Sequence, residues 1–472
     1  MIRADAAFVL LVTAGVSGCR VGPRHEAPEL ELPSRFVEST ATTEVASDAR
    51  WWRSFGDATL DGLVERAIQG NVDLTIARER VLEARAVRDA SVGPTRPSLD
   101  ARAGISRNGP SDSGAFQRGG DYSLFEAGFD ASWEIDVFGR LAARVDAAEA
   151  AVGSATEARQ DALVSLCAEV AREYVVLRET QEQLAIRRTN LATQVDTLQL
   201  TRARATAGFS PELDVARSEV LVETTSASIP SFESRARASI HRLGVLVGGL
   251  PGDLVDLLET PLAIPSAPAL VAAGLPMDVV RRRPDVRRAE RDLARETALT
   301  AEATADLYPR LSLSASFGQE ARTASDLFDA ASNAWSIGGG LLAPLFRGGE
   351  LRANLRAQES RRAQAALAWK GTVLSALREV EDGLVSVVRE REREARLQAA
   401  TTSSRRALEL ARDLNAQGIV DFFDVLDSQR AVLTSESDLV ASRASVARET
   451  VALYKALGGA PDSGDEVLAA TP

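Results

Sequence analysis

The chain contains few of the residues on which enzymes and metal proteins commonly depend. Its 472 residues include two cysteines, two methionines and two histidines, and aromatic residues make up only 5%. The histidines, His25 and His241, have no partners at the spacings of a metal site or a catalytic triad. A GxxxxGK[ST] phosphate-binding motif is also absent. We therefore expect a protein that is not an enzyme, with no metal and no dissociable cofactor, and place His241 on a helix surface.

Positive charge is also in deficit. The net charge is -12 and the pI is about 5.0, and no basic stripe interleaved with aromatic residues offsets this balance. Nucleic acid is therefore excluded as a partner on electrostatic grounds. A hydrophobic content of 45% is typical of a chain that buries a core. The abundance of Ala, Leu, Val, Arg and Glu favours long helices.

The N-terminus contains an apolar run from Ala6 to Ala14, which is too short to span a bilayer as a helix. Residues 1–18 are predicted to be a processed export signal. "VSGC" resembles a bacterial lipoprotein box, which implies a covalent lipid on Cys19. The absence of Asp after that cysteine implies sorting to the outer membrane. The alternative is an ordinary signal in which Cys19 is incidental. Cys167 is expected to be a small core residue.

An internal duplication with an offset of about 210 residues organises the chain. "GFSPELDVARSEV" from Gly208 matches "GIVDFFDVLDSQRAV" from Gly418, and "RPSLDARAG" matches "YPRLSLSASFG". Each half is predicted to run helix, strand, strand, long helix, tight turn, long helix. The predicted segments are an extended N-terminal segment (19–57), a first repeat (58–250), a linker (251–270), a second repeat (271–460) and a tail (461–472).

Four segments of about ten residues alternate with period two, as strands do. They cover 99–105, 125–137, 311–317 and 335–341, and each pair is separated by a polar, Gly-rich loop. In "FEAGFDASWEIDVFGR" (125–140) the apolar residues alternate with four acids, namely Glu126, Asp130, Glu134 and Asp136. Ten tilted residues are enough for a strand to cross a bilayer.

Two long periodic segments follow the hairpins. A helix from about 139 to 205 would be about 100 Å long, longer than a single globular core requires. In the last helix a strict seven-residue repeat predicts left-handed supercoiling against neighbouring helices; its members are Val425, Val432, Leu439, Val446 and Leu453. Pro230 interrupts the corresponding helix of the first repeat and predicts a bend or a short break there.

The strands and helices together favour a membrane protein over a soluble sheet with its apolar face inward. Lipid tolerates strands only in closed barrels, and the smallest single-chain barrels have about eight strands. Four strands cannot close, so copies must contribute the rest. Three copies give about twelve strands, with apolar residues facing lipid and the four acids facing a wet lumen. The predicted fold class is an α+β membrane protein in which the helices continue the barrel as a coiled-coil tube.

At this point the chain resembles an outer membrane efflux protein of the TolC family, in its NodT-like lipoprotein branch, over nearly its whole length. The motifs that carry the resemblance are "GCRVGPRHEAP", "WWRSFGD", "WEIDVFGR", "RRRPDVRRAE", "YPRLSLSASFG" and "GIVDFFDVLDSQR". The resemblance implies a homotrimer with a twelve-stranded barrel in the cell outer membrane, an α-helical barrel through the periplasm, and an equatorial belt. Segments 28–57 and 251–270 are assigned to that belt.

The two helical turns are the candidate functional elements. Gly208 and Gly418 give the backbone freedom for a sharp reversal, and the resemblance implies that a periplasmic adaptor docks around them. It also implies that Asp424 and Asp427 form acidic rings narrowing the periplasmic entrance, with Asp214 as a third candidate. The alternative is that these acids only stabilise helix N-termini. In "RRRPDV" (281–286) we expect Pro284 to begin a helix and the arginines to pair with acids.

The resulting hypothesis is a passive conduit for small-molecule export, driven by an inner membrane pump through the adaptor. Two alternatives remain open from the sequence. One is the outer membrane conduit of a type I protein secretion system, which shares the fold. The other is a soluble coiled-coil scaffold whose strands are surface hairpins. The sequence does not distinguish the transported substrates.

Overall fold

The computed structural model describes residues 20–38, 50–109, 121–269 and 274–459, which form two compact units. The sheet unit comprises the described residues of 20–29, 80–156 and 288–370, and the helical unit those of 30–79, 157–287 and 371–459. The signal segment, Cys19 and the tail 461–472 lie outside the described residues. The lipid on Cys19 therefore stays a prediction.

Helices dominate the described chain. They are α1 (Ala58–Gly70), α2 (Val72–Val92), α3 (Arg140–Thr206), α4 (Glu212–Leu246), α5 (Val255–Leu258), α6 (Pro276–Arg282), α7 (Pro284–Ala305), α8 (Glu350–Ala416) and α9 (Phe422–Ala456). The long helix predicted for 139–205 is confirmed as α3. Among the described helices, none carries a stretch both apolar and long enough to cross a membrane.

The duplication is visible in the helix lengths. Helices α3 and α8 both have 67 residues and begin 210 residues apart, at 140 and 350. Helices α4 and α9 both have 35 residues and begin 210 residues apart, at 212 and 422. Helix α4 runs without interruption through Pro230, so the expectation of a break there is wrong. Buried residues on both sides, such as Leu221 and Leu243, hold the two flanking segments in one helix.

The four strands form one antiparallel sheet in the order β1 (Ser98–Asn108), β2 (Tyr122–Ile135), β3 (Arg310–Ala321) and β4 (Asn333–Leu342). The register places Ala101 opposite Phe129, Phe129 opposite Phe317, and Phe317 opposite Trp335. Directly opposed residues share a face, so the sheet has one continuous apolar face. Within the described chain, β1 and β4 each have one edge without a partner strand.

The core of the helical unit is built around a tryptophan pair. Trp51 and Trp52 begin a short 3-10 helix and are buried. The Trp51 ring stacks on Tyr454 at 5.1 Å between centroids, and its Nε1 donates to the carbonyl of Gly459 at 3.0 Å. The "WWRSFGD" segment thereby ties the N-terminal part of this unit to the end of α9.

Asp57 closes the same segment. Its Oδ1 accepts a hydrogen bond from the backbone N–H of Thr59 at 2.8 Å, which caps α1. Its Oδ2 accepts from the Tyr174 hydroxyl on α3 at 2.8 Å. Burial raises the pKa of Tyr174 to about 12. The phenol therefore stays protonated and holds α1 against α3 at neutral pH.

The seven-residue repeat of α9 is buried, and its five members are 1–6% exposed. Helix α9 bonds to two long helices. The Thr401 hydroxyl of α8 donates to the carbonyl of Ser435 at 3.0 Å, and the Gln183 side chain of α3 donates to that of Ser437 at 2.7 Å. The repeat thus marks the face of α9 that packs against its neighbours within one chain, and the left-handed supercoiling stays a prediction.

Candidate functional site

One face of the sheet is apolar and exposed. Leu99, Trp335 and Ile337 are 71%, 73% and 79% exposed. The same face also carries Ile105, Phe129, Leu313, Phe317 and Leu341. Monomeric soluble proteins rarely expose an apolar patch of this extent. The strands have 10 to 14 residues, enough to cross a bilayer when tilted. This face is suited to lipid.

The opposite face is polar. Asp130 pairs with Arg102 of β1, Nε to Oδ2 at 3.3 Å, and Glu126 lies directly opposite Glu320 of β3. Serine hydroxyls bond across the strands, as between Ser316 and Ser336 at 2.8 Å. A polar surface opposite a lipid-facing one is what a strand bordering a wet channel needs.

Of the four strand acids singled out in the sequence, Asp130 pairs with Arg102 across the strands, and Glu134 and Asp136 contact the start of α3. Glu134 accepts two hydrogen bonds from the Arg140 guanidinium, at 3.1 and 2.8 Å. Asp136 lies just beyond β2, which ends at Ile135. Its Oδ2 accepts from the backbone N–H of Ala142 at 2.7 Å, in the first turn of α3. Asp136 is therefore a helix-capping residue, and the strand acids of the polar face are Glu126, Asp130 and Glu134.

A charged cluster surrounds the first turn of α3 in the sheet unit. Half-burial raises the pKa of Glu302, an effect that Arg144 opposes and Asp306 reinforces. The Asp306 carboxylate also accepts from Arg310 at 2.6 Å. Alternating acids and arginines thus offset one another where strands give way to helices.

The two helical turns have the same backbone geometry. Gly208 has φ +77° and Gly418 has φ +72°, the left-handed region that favours glycine. After α3, the N–H groups of Phe209 and Gly208 donate to the carbonyls of Arg204 and Ala205 at 2.8 and 3.0 Å. The turn after α8 repeats this pattern, with Ile419 donating at 2.9 Å and Gly418 at 3.0 Å. Both are Schellman motifs that end a helix and reverse the chain.

The two turns lie side by side in the helical unit. Arg204 donates to the Oδ1 of Asn415 at 3.3 Å, and the Arg217 guanidinium lies 5.4 Å from the ring centroid of Phe423. A cavity of about 470 Å³ is lined by both turns. Phe209 and Ile419 are 84% and 64% exposed at the tips. The structure thus brings together the two glycines that the sequence places 210 residues apart.

The three candidate gate acids differ in their surroundings. Asp214 is 13% exposed, accepts from the Ser210 hydroxyl at 3.1 Å and lies 3.9 Å from Arg217. Asp424 and Asp427 are exposed, and neither forms an ion pair within the described part of the chain. Their negative charge is therefore available to solvent or to another copy, whereas that of Asp214 is largely offset.

The other residues considered in the sequence have structural roles. Arg283 is buried, donates to both oxygens of Asp285 at 3.0 and 2.7 Å, and pairs with Glu379 at 2.8 Å. Burial alone would raise the pKa of Asp285, but its bonds and proximity to Arg283 lower it. Helix α7 begins at Pro284 as predicted. Cys167 is buried, which raises its pKa to about 12, and His241 is exposed on α4, both as predicted.

The outer membrane efflux protein family model matches residues 63–249 and 275–459. The chain belongs to the outer membrane efflux protein family. It is similar to nodulation protein T of Rhizobium leguminosarum bv. trifolii, with 32% identity over 95% of each chain. It is also similar to the toluene efflux pump outer membrane protein TtgI of Pseudomonas putida, with 31% identity over 96% of this chain and 97% of that protein.

The chain is also similar to a solved structure of the outer-membrane channel OprN, with a TM-score of 0.89 and 33% identity. The match covers 93% of this chain and 99% of that one. Family membership makes this efflux protein an outer membrane channel and not a member of an enzyme family. The soluble scaffold alternative is thereby wrong. The exposed apolar sheet face is accounted for by the membrane in which such a channel lies.

Proposed function

We propose that this outer membrane efflux protein is the passive outer membrane conduit of a tripartite system that exports small molecules. The observation that carries the proposal is the four-stranded sheet, which has an exposed apolar face, a polar opposite face and, among the residues that the structure describes, two unpaired edges. Family membership and relatives named as efflux pump outer membrane proteins support export of small molecules. In this proposal an inner membrane pump supplies the energy, in keeping with the efflux-pump names of these relatives.

Closure of the channel requires copies of the chain. An unpaired strand edge in lipid leaves backbone N–H and C=O groups without partners, which costs several kcal/mol per group. Pairing the free edge of β1 with the free edge of β4 of a second copy removes this cost. In the proposed assembly three copies make about twelve strands, and their polar faces border the lumen.

Asp424 and Asp427 are proposed to restrict the periplasmic entrance. Both are exposed in the first two turns of α9, and three copies of this pair would bring like charges together around the axis. Crowded carboxylates attract cations and repel anions. Asp214 contributes less to this restriction, because Ser210 and Arg217 already contact it.

The helical turns are proposed to receive a periplasmic adaptor. Phe209 and Ile419 project apolar surface at the tips, joined by Leu213 and Phe423, which are 56% and 47% exposed. Exposed apolar residues grouped at one place typically mark a protein contact. Docking there would bear directly on α4 and α9, the helices that begin with the candidate gate acids.

The proposal is tested in the native host by deleting the gene and measuring sensitivity to organic solvents and dyes. We expect increased sensitivity, restored by the full-length chain, and an unchanged profile of secreted proteins. Loss of a secreted protein with unchanged solvent sensitivity would instead favour the type I secretion conduit.

The assembly is tested separately on detergent-purified full-length protein by light scattering. A protein mass of three chains, together with conductance in planar bilayers, is the expected result. A monomer without conductance would contradict the channel proposal altogether.

A further inference from the structure

A cavity of about 490 Å³ lies between α3, α4 and α9 in the helical unit. It is separate from the helical turns, since no residue lines both cavities. Its polar lining includes the hydroxyls of Thr180 and Ser239 and the amide of Gln183, all on buried residues. The volume is in the range of small-molecule sites.

Two arginines enter this cavity beside one aromatic ring. The guanidinium carbons of Arg187 and Arg235 lie 3.8 and 3.9 Å from the centroid of Phe232. Arg187 also donates to the Oε1 of Gln183 at 2.6 Å, and Arg235 donates to the carbonyl of Ser231 at 3.3 Å. These contacts fix both side chains without neutralising either charge.

Neither arginine forms an ion pair with any described residue, although many arginines of this acidic chain do. The other charges of the cavity are largely taken: Glu173 pairs with Arg242 at 3.0 Å, and Glu179 pairs with Arg448. Asp438 is the remaining acid of the lining. The two unpaired arginines thus outnumber it.

The pKa of Arg187 also indicates that its positive charge is not offset by a nearby acid. Burial lowers the pKa of Arg187, and the nearby charge of Arg235 lowers it further. Two like charges held close together in a partly buried place repel one another. An anion that contacts both guanidinium groups would offset this repulsion through charge-assisted hydrogen bonds, which are among the stronger ones in proteins.

Two neighbouring arginines, unlike those of the cavity, form ion pairs. On the adjoining surface of the same helices, Arg188 pairs with Glu233 at 2.6 Å and Arg237 pairs with Glu259 at 3.1 Å. Each is one or two positions from an arginine of the cavity. The arginines of the adjoining surface therefore have acidic partners, whereas the acids Glu173 and Glu179 of the cavity pair with other arginines and leave Arg187 and Arg235 without an ion pair among the described residues.

From this arrangement we propose that the cavity is a binding site for a small oxyanion of the phosphate or carboxylate type, held by Arg187 and Arg235. The guanidinium groups supply the forked donors that match such an anion. Ser239 supplies a further hydroxyl on the cavity wall, whereas the Thr180 hydroxyl already donates to the carbonyl of Val176 at 2.7 Å.

The test is calorimetric titration of the intact, detergent-purified protein with inorganic phosphate in a chloride-matched buffer. The unaltered protein is expected to bind phosphate, and Arg235→Gln to weaken binding about tenfold or more, the size of effect typical for a lost charge-assisted bond. Arg235 is exposed, so this change leaves the core intact. Arg187→Gln is expected to have the same effect.

Matched controls distinguish a site from general charge effects. Arg188→Gln and Arg237→Gln remove the same charge from the adjoining face and should leave phosphate affinity unchanged. Asp438→Asn should tighten binding, since it removes a like charge from the lining. Equal weakening by the control variants would overturn the proposal.

Two other outcomes would also overturn it. One is the absence of phosphate binding to the unaltered protein. The other is a loss of trimer mass on Arg235→Gln without phosphate binding, which would mean that a carboxylate of a second copy occupies the cavity. Neither outcome would affect the channel proposal, which rests on the sheet.

Discussion

The two helical turns of the chain have the same backbone geometry but differ in the charged side chains near them. Both reverse the chain through a glycine with φ above +70° and the same pair of hydrogen bonds, between helices of 67 and 35 residues. In the first turn Asp214 is enclosed by Ser210 and Arg217. In the second, Asp424 and Asp427 are exposed. Duplication preserved the reversal, while the charge presented near it diverged.

This difference shows that chain reversal and control of ion passage depend on different features of a turn. A reversal depends on local backbone geometry, so both copies retain it. Control of ion passage depends on unneutralised charge placed where copies meet. Of the two corresponding acids, Asp214 is mostly enclosed and Asp424 is exposed, so under the gate proposal we expect the second turn to have the larger effect on ion passage.

The largest effect is expected from the acids. Replacing Asp424 and Asp427 by Ala should raise the conductance of the closed channel several-fold in planar bilayers, because it removes the charges that we propose restrict the entrance. The matched change Asp214→Ala should have little effect, since that carboxylate is already enclosed. Similar conductance in both variants would remove the distinction between the turns and the gate assignment with it.

The second largest effect is expected from replacing Pro230 in α4, the helix that follows the first turn. Proline removes the N–H that would bond to the carbonyl four residues earlier, at Ser226, and costs up to about 3 kcal/mol in a helix interior. Pro230→Ala should therefore slow hydrogen–deuterium exchange in the middle of α4. The corresponding amides of α9, where Val440 occupies the equivalent position, serve as the internal reference. Unchanged exchange in α4 would mean that the proline is accommodated without cost.

The smallest effect concerns the glycines. Gly208→Ala and Gly418→Ala should each destabilise their turn by about 1–2 kcal/mol, the cost of a left-handed conformation for a residue with a Cβ. A Cβ would meet no atom within 4 Å at either position, so φ alone sets the cost. The measurement is exchange of the turn amides.

Gly371→Ala provides the control for the glycine pair. It lies inside α8 with no atom within 4 Å of the new Cβ and without a positive φ, so it should not destabilise the helix. Markedly unequal effects at Gly208 and Gly418 would show that the two turns are not equivalent in backbone energy.

Periodic patterns were sufficient to predict much of this fold. Alternation located all four strands, because adjacent strand residues face different media. The seven-residue repeat from Val425 to Leu453 located the buried stripe of α9, because residues seven positions apart lie on the same face of a helix. The end of β2 was predicted at 137 and lies at Ile135, since Asp136 and Val137 continue the alternation in sequence while Asp136 caps α3 in space. Pro230 was expected to bend or break its helix, and the break is absent because packing on both sides maintains the helix.

The site was predicted less completely. The resemblance pointed to Asp424 and Asp427, with Asp214 as a third candidate, and only contacts in space show that Asp214 is enclosed and the other two are exposed. The arginine cavity has no signal in the sequence, because Arg187 and Phe232 are 45 positions apart and meet only through packing of α3 with α4.

The sequence by itself determined the duplicated plan, the strands, the long helices and the glycine reversals, since each depends on periodicity or on backbone freedom within a few residues. The tertiary structure alone decided which charges are neutralised and which remain available. Ion pairs and burial depend on residues that folding brings together from distant positions in the sequence. Local sequence patterns do not specify those contacts.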